Sequence, residues 1–174
     1  MKILTTLSCL LTFIGIGFAQ DMTPPAEIKN LSWVVGTWKG KVKMLTGPEP
    51  NADHESTMVY SMAVGGRYVQ SNATISMGTM GSIEGTMMST YDPDAKMYRA
   101  WWFDNTSSIG MEFTGELKGE VITFTSKPTN LPGMGETVMR ATYTRKSDSE
   151  LNFKLEMKQG DTFTPLMQGD YKKS

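Results

Sequence analysis

Apolar and polar residues alternate along most of the chain with a period of two. Leu151, Phe153, Leu155 and Met157 fall on one face and Asn152, Lys154, Glu156 and Lys158 on the other, which describes a half-buried strand with a solvated outer side. The preceding segment, Glu136 to Arg145, sets Met139, Ala141 and Tyr143 against Arg140, Thr142 and Thr144, and Ser147-Asp148 supplies the turn of a hairpin. Upstream, Gly119 separates Ile109–Leu117 from Val121–Lys127. Asp92-Pro93-Asp94 separates Gly81–Tyr91 from Met97–Asp104, and Gly65-Gly66 separates Met58–Val64 from Tyr68–Met77. Trp38–Leu45 and Phe163–Tyr171 complete about ten predicted strands. Before them, Gln20–Ala26 is an extended lead-in with Pro24-Pro25, and Glu27–Trp33 can form one or two helical turns ahead of Gly36.

Short strands joined by tight turns, with no helices to cover them, must stack as a sandwich or close on themselves. A meander in which each strand finds its partner next in sequence favours closure, because the last strand can meet the first and leave no edge. The predicted fold is therefore all-β, a single antiparallel up-and-down barrel behind a short N-terminal helical turn; a sandwich is the alternative.

The N-terminus departs from this pattern. Lys2 precedes an apolar stretch from Ile3 to Phe18, and Gly17-Phe18-Ala19 places small residues where a signal peptidase needs them. Residues 1–19 read as a secretory signal and 20–174 as one domain, with a secreted or periplasmic location. The stretch is short for a membrane span and is interrupted by Thr, Ser and Gly, so no stable membrane insertion is expected after cleavage. Cleavage would leave 155 residues and remove Cys9, the only cysteine. A domain of that size can bury enough surface without disulfides.

With 17 Lys+Arg against 18 Asp+Glu, the composition argues against a nucleic-acid partner. One His and one Cys exclude the usual zinc spacings and nucleophile–base pairs, and neither a phosphate loop nor a dinucleotide fingerprint is present. No metal and no cofactor is expected. Asn30, Asn72 and Asn105 stand in glycosylation triplets, which matter only in a eukaryotic secretory route.

The segment Leu31-Ser-Trp-Val-Val-Gly36-Thr-Trp38-Lys-Gly40 resembles the opening of lipocalin-like (calycin) barrels, where a helical turn leads to a Gly-x-Trp at the first strand. Together with Gly65-Gly66-Arg67-Tyr68, and with Gly85 through Tyr91-Asp92 to Trp102 and Asp104, the chain resembles the DUF1579 family from about Glu27 to Tyr171. That resemblance implies a closed or nearly closed β-barrel and no assigned activity. Related nitrobindin-like barrels hold haem through a barrel His. Here the only His, His54, lies in the polar run Asn51-Ala-Asp-His-Glu ahead of a strand, where a solvated loop residue is expected and haem is not.

Candidate site residues follow from the barrel. Arg67 after the Gly-Gly turn and Arg99 in Tyr98-Arg-Ala-Trp-Trp could hold the polar end of an interior ligand, or could tie the barrel end to carbonyls or to Asp104. Glu112 lies opposite Met111 and Phe113. Facing outward it is a solvated strand residue; facing inward beside Arg99 it would be an acid or base, with Tyr98 orienting a substrate. Trp102, Met111 and Phe113 would provide apolar walls, and of the adjacent pair Trp101 and Trp102 at least one must face out or sit at a rim. The 15 Met are the strongest compositional oddity. Thioethers can hold Cu(I), but adaptable packing or a pliable cavity wall is the commoner use. The leading expectation is a barrel that binds a small apolar or amphipathic molecule inside. The alternatives are a lyase- or isomerase-type enzyme using Arg99 and Glu112 in the same cavity, and an interaction barrel without ligand.

Overall fold

The computed structural model describes residues 23–46 and 50–174; the expected signal segment lies outside them. A 3₁₀ helix, Ala26–Val34, leads into β1 (Gly36–Met44). There follow β2 (Asp53–Ala63), β3 (Tyr68–Ser76), β4 (Ser82–Asp92), β5 (Met97–Asp104), β6 (Met111–Lys118) and β7 (Val121–Ser126). After a small ribbon of β8 (Thr129–Leu131) and β9 (Gly135–Thr137) come β10 (Met139–Arg145), β11 (Glu150–Gln159) and β12 (Thr162–Lys173).

Ten of these strands form a closed antiparallel barrel in which every barrel strand pairs with its neighbours in the meander and β12 pairs with β1. No barrel strand is left with an open edge, which is what the alternating pattern and tight turns require of a sheet this long. A bulge between Leu155 and Glu156 shifts the β11–β12 register, and such a bulge sharpens the local twist that closure needs.

The inner face is built from the apolar members of each alternation. Trp38 and Val42 of β1, Tyr98 and Ala100 of β5, Phe113 of β6 and Phe124 of β7 are all buried. Two inward glycines make room for aromatic rings: a Cβ at Gly85 would meet the Trp102 ring at 2.1 Å, and one at Gly115 would meet the Phe124 ring at 2.5 Å. The 3₁₀ helix plugs one end, burying Ile28, Leu31 and Val34, each worth on the order of 1.5–3 kcal/mol of apolar burial. The plug is fastened by polar bonds. Trp38 Nε1 donates to the Val34 carbonyl at 2.6 Å, the Tyr98 hydroxyl to the Glu27 carbonyl at 3.0 Å, and Lys173 Nζ to the Trp33 carbonyl at 3.1 Å.

Two sequence expectations are corrected. The single strand expected over Glu136–Arg145 is two: Gly135–Thr137 turns away to pair with Thr129–Leu131, and only Met139 onward joins the barrel. The ribbon turns at Leu131-Pro132-Gly133-Met134, where Gly133 has φ +75° and Met134 N–H donates to the Leu131 carbonyl at 3.1 Å. This is the Pro-Gly chemistry of a type II turn. The second correction concerns His54. It stands within β2, buried at 6% exposure, and its Nδ1 contacts the Ser76 carbonyl at 2.9 Å. The strand begins five residues earlier than expected because its inward positions there, His54 and Ser56, are polar and disguise the alternation that continues through Met58 and Tyr60.

Candidate functional site

The residues singled out in the sequence separate onto two sides of the wall. Tyr98, Trp102, Met111 and Phe113 face inward with their paired neighbours Ala100, Met87 and Gly115. Tyr98 is spent on the helical plug, and Trp102 Nε1 donates to Asp104 Oδ2 at 2.6 Å. Arg99 and Glu112 occupy the intervening positions and lie on the outer wall, as does Trp101 opposite Glu112. Arg99 Nε binds Asp92 Oδ2 at 2.7 Å, and the same carboxylate accepts the Asp94 and Ala95 amides, so Arg99 pins the β4–β5 turn. These amides, Ala95 first, and Arg99 hold the Asp92 carboxyl below its usual range. Glu112 bridges Arg99 at 3.5 Å and Lys127 at 2.6 Å, tying β5, β6 and the end of β7 from outside. A pair on that wall cannot serve the interior, whether as a ligand's polar anchor or as an acid–base couple. Arg67 follows the 3₁₀ turn Val64–Gly66 at the rim of the plugged end, where its carbonyl accepts the Thr90 hydroxyl at 2.7 Å.

Inside, the structure assembles a group that no motif announced. Tyr60 of β2, Tyr143 of β10 and Tyr171 of β12 bring their phenols together in the half of the barrel nearer the helix. Tyr60 and Tyr143 lie close enough to interact through their hydroxyls, and both interact electrostatically with Tyr171. The Tyr171 hydroxyl donates to Ser56 Oγ at 2.8 Å, reaching past β1 at Gly40, which pairs with Tyr171 on one side and Ser56 on the other. Tyr60 also lies within reach of a thioether, its hydroxyl 3.3 Å from Met58 Sδ. Burial pushes the Tyr171 phenol up to about 12 and raises those of Tyr60 and Tyr143 as well, so all three remain neutral hydrogen-bonding groups at any physiological pH. The one signal available in the sequence was the inward phase of each tyrosine; that they meet depends on the β12–β1 closure and on register.

Methionines concentrate in the other half. Met44 pairs with Met167 across β1–β12, Met139 with Met157 across β10–β11, and Met111 lies beside Trp102, whose other neighbour Met87 stands at mid-barrel. Charged groups among the described inward positions stand at the ends only. Arg145 lies 5.7 Å from the Trp33 ring at the plugged end, and Asp104 holds Trp102 at the other.

Several inward apolar side chains are only partly buried. Leu155, between buried Ala141 and Met167, keeps solvent contact, as do Phe153, Met157, Trp102, Ala73 and Ile75. Between the helix and Tyr60, Tyr143, Met87 and Phe124 lies a void of about 20 Å³, the room one water needs. A larger concavity of about 550 Å³ runs outside along β1 and β12, lined by Lys39, Lys41, Lys43 and Lys172 with Asp53 and Asp170. Three of its lysines are matched by Glu55, Asp53 and Glu150 at 3.3–3.7 Å. Solvent screens such exposed pairs, so the groove offers less for selective recognition than the desolvated interior.

Among solved structures the chain is similar to Rv2717c from M. tuberculosis, with TM-score 0.63 and 14% identity over 87% of this chain and 99% of that one, a likeness of fold. A redesigned β-barrel aligns with TM-score 0.43 and 13% identity over 82% of this chain and 93% of its own. No curated protein sequence matches the chain. The profile described as "Protein of unknown function (DUF1579)" matches residues 23–173, from just ahead of the helical plug to the last residue of β12. Since that match takes in the plug and every strand of the closed barrel, the chain belongs to the DUF1579 family.

Proposed function

We propose that this protein is a secreted or periplasmic binding protein that takes a small apolar or amphipathic molecule into the barrel interior. The observation that supports this reading is the incomplete packing of an inner face that carries charge only at its ends. Leu155 and Met157 point inward on β11 yet remain accessible, in a half lined by thioethers, and Phe153, against the Tyr143 ring, is accessible too. The ready-made void is far smaller than an ordinary ligand pocket, so room must come from side-chain movement. Methionine is the residue best able to provide it, being unbranched and polarisable. Entry is at the end away from the helix, where the loops expose Met80 (57%), Ile109 (45%) and Met134 (56%) as an apolar rim.

The test is a fluorescence titration with the neutral apolar probe N-phenyl-1-naphthylamine. The native protein should bind it saturably, Leu155→Trp should weaken uptake by about 10-fold or more by filling the space, and Thr142→Trp on the outer wall should leave it unchanged. Absence of saturable uptake by the native protein, or equal effects of the inner and outer substitutions, would refute interior binding.

A further inference from the structure

The polarity of the interior is distributed along the barrel axis. Phenols and a serine hydroxyl gather in the half nearer the plug, and the paired thioethers of Met44 with Met167 and of Met139 with Met157 in the other. We infer that the cluster of Tyr60, Tyr143, Tyr171 and Ser56 is the polar subsite of the interior, and that it takes an uncharged oxygen-bearing head group, a hydroxyl or carbonyl, of a molecule whose apolar remainder lies along the methionine-lined half. This rests on the interior-binding reading above and adds the chemical class of ligand and its orientation.

Three features carry the assignment. First, the cluster has a donor to offer. The Tyr60 hydroxyl donates to Met58 Sδ, 3.3 Å away, and a thioether is a weak acceptor that a ligand oxygen displaces at small cost. That phenol proton is therefore available to an oxygen atom, and Ser56, which accepts from Tyr171, retains its own proton. Second, the cluster adjoins the void of about 20 Å³ bordered by Tyr60 and Tyr143, the size of a single oxygen-bearing group. Third, the inward cations nearest to it are already engaged at the plugged end, Arg145 by Glu120, Asp148 and the Trp33 ring and Lys173 by the Trp33 carbonyl and the Trp38 ring, while Arg99 is outside the wall. A carboxylate brought to the phenols would be desolvated without a cation free to pair with it, which disfavours it. A neutral head group avoids that cost.

The experiment is displacement of N-phenyl-1-naphthylamine from the native protein at pH 8 by 1-dodecanol and by dodecanoate, two ligands of equal chain length. Dodecanol should displace the probe at a concentration at least about 10-fold lower than dodecanoate. Tyr143→Phe, which removes one oxygen and keeps the ring, should weaken dodecanol by about 3- to 10-fold more than it weakens the probe, whose affinity is titrated directly for each variant. Tyr60→Phe, an independent variant, should do the same. Dodecanoate matching or surpassing dodecanol, or both phenylalanine variants leaving dodecanol unaffected while the probe still binds, would overturn the head-group assignment and leave interior binding standing. Failure of the native protein to take up the probe would overturn both.

Discussion

A glycine decides whether the phenol cluster can form. Gly40 sits on β1 between Tyr171 and Ser56, and a Cβ built there would meet the Asp170 carbonyl oxygen at 2.1 Å and the Tyr171 Cα at 3.0 Å. Those contacts are with backbone, which cannot swing aside as a long side chain can. Gly40→Ala should therefore force β1 away from β12 and destabilise the fold by about 1–3 kcal/mol, measurable by urea denaturation. Tyrosine fluorescence should report the parting of Tyr171 from Ser56. Undiminished stability would show that the β12–β1 seam is looser than described. Residue roles were the least legible part of the sequence. Alternation around Met111 and Phe113 was enough to say that Glu112 opposes them, but Arg99 could be placed only once Ala100 and Tyr98 were known to face inward. His54 was misjudged because a polar inward residue looks, along the chain, like a loop.

At the scale of the element, the outer wall of β10 and β11 carries a carboxylate sunk among cations. Glu156 is 3% exposed, with Arg140 Nε at 2.7 Å and Lys154 Nζ at 2.6 Å, and Phe163 covers the Arg140 guanidinium at 4.0 Å. Burial alone would raise the carboxyl, but the bonds from Arg140 and Lys154 outweigh it and leave it lowered from its ordinary 4.5. The folded state thus binds its proton less readily than the unfolded chain. The stabilisation is fully present above pH 4.5 and is lost as pH falls below that value through the folded pKa. Glu156→Gln should cost on the order of 1–2 kcal/mol at pH 7, with the gap to the native protein narrowing as the pH is lowered from 4.5 toward 3. A gap independent of pH would mean that the ion triad contributes by shape alone. Strands were the most legible elements: Met97–Asp104 is found as read, and the Asp92-Pro93-Asp94, Gly119 and Gly65-Gly66 turns fall where the punctuation puts them. The ribbon of β8 and β9 was missed because three residues per strand are too few to show a period, and Pro132-Gly133 reads simply as loop.

For the whole molecule, closure follows from economy of connection. Consecutive hairpins leave two edges, the first strand and the last, and pairing β12 with β1 removes both. That much could be argued from turn spacing. The functional layout could not, because it depends on which residues share a level of the barrel: three tyrosines from β2, β10 and β12, more than a hundred positions apart at the extremes, meet only after the seam has formed. The methionine excess also acquires a location. Met44, Met111, Met139, Met157 and Met167 lie on the inner face and toward the end away from the helix. A wall so composed, above a neutral hydrogen-bonding floor, suits a guest with an apolar body and one oxygen-bearing head.

The most direct measurement is native mass spectrometry of the full-length chain's product, recovered without detergent from the compartment in which it naturally works. A noncovalent adduct of an uncharged molecule of a few hundred daltons, retained by the native protein and missing from Leu155→Trp, is the predicted result. A protein that emerges bare, and stays bare after incubation with the lipid-soluble extract of that compartment, would contradict the claim that the interior is a binding site.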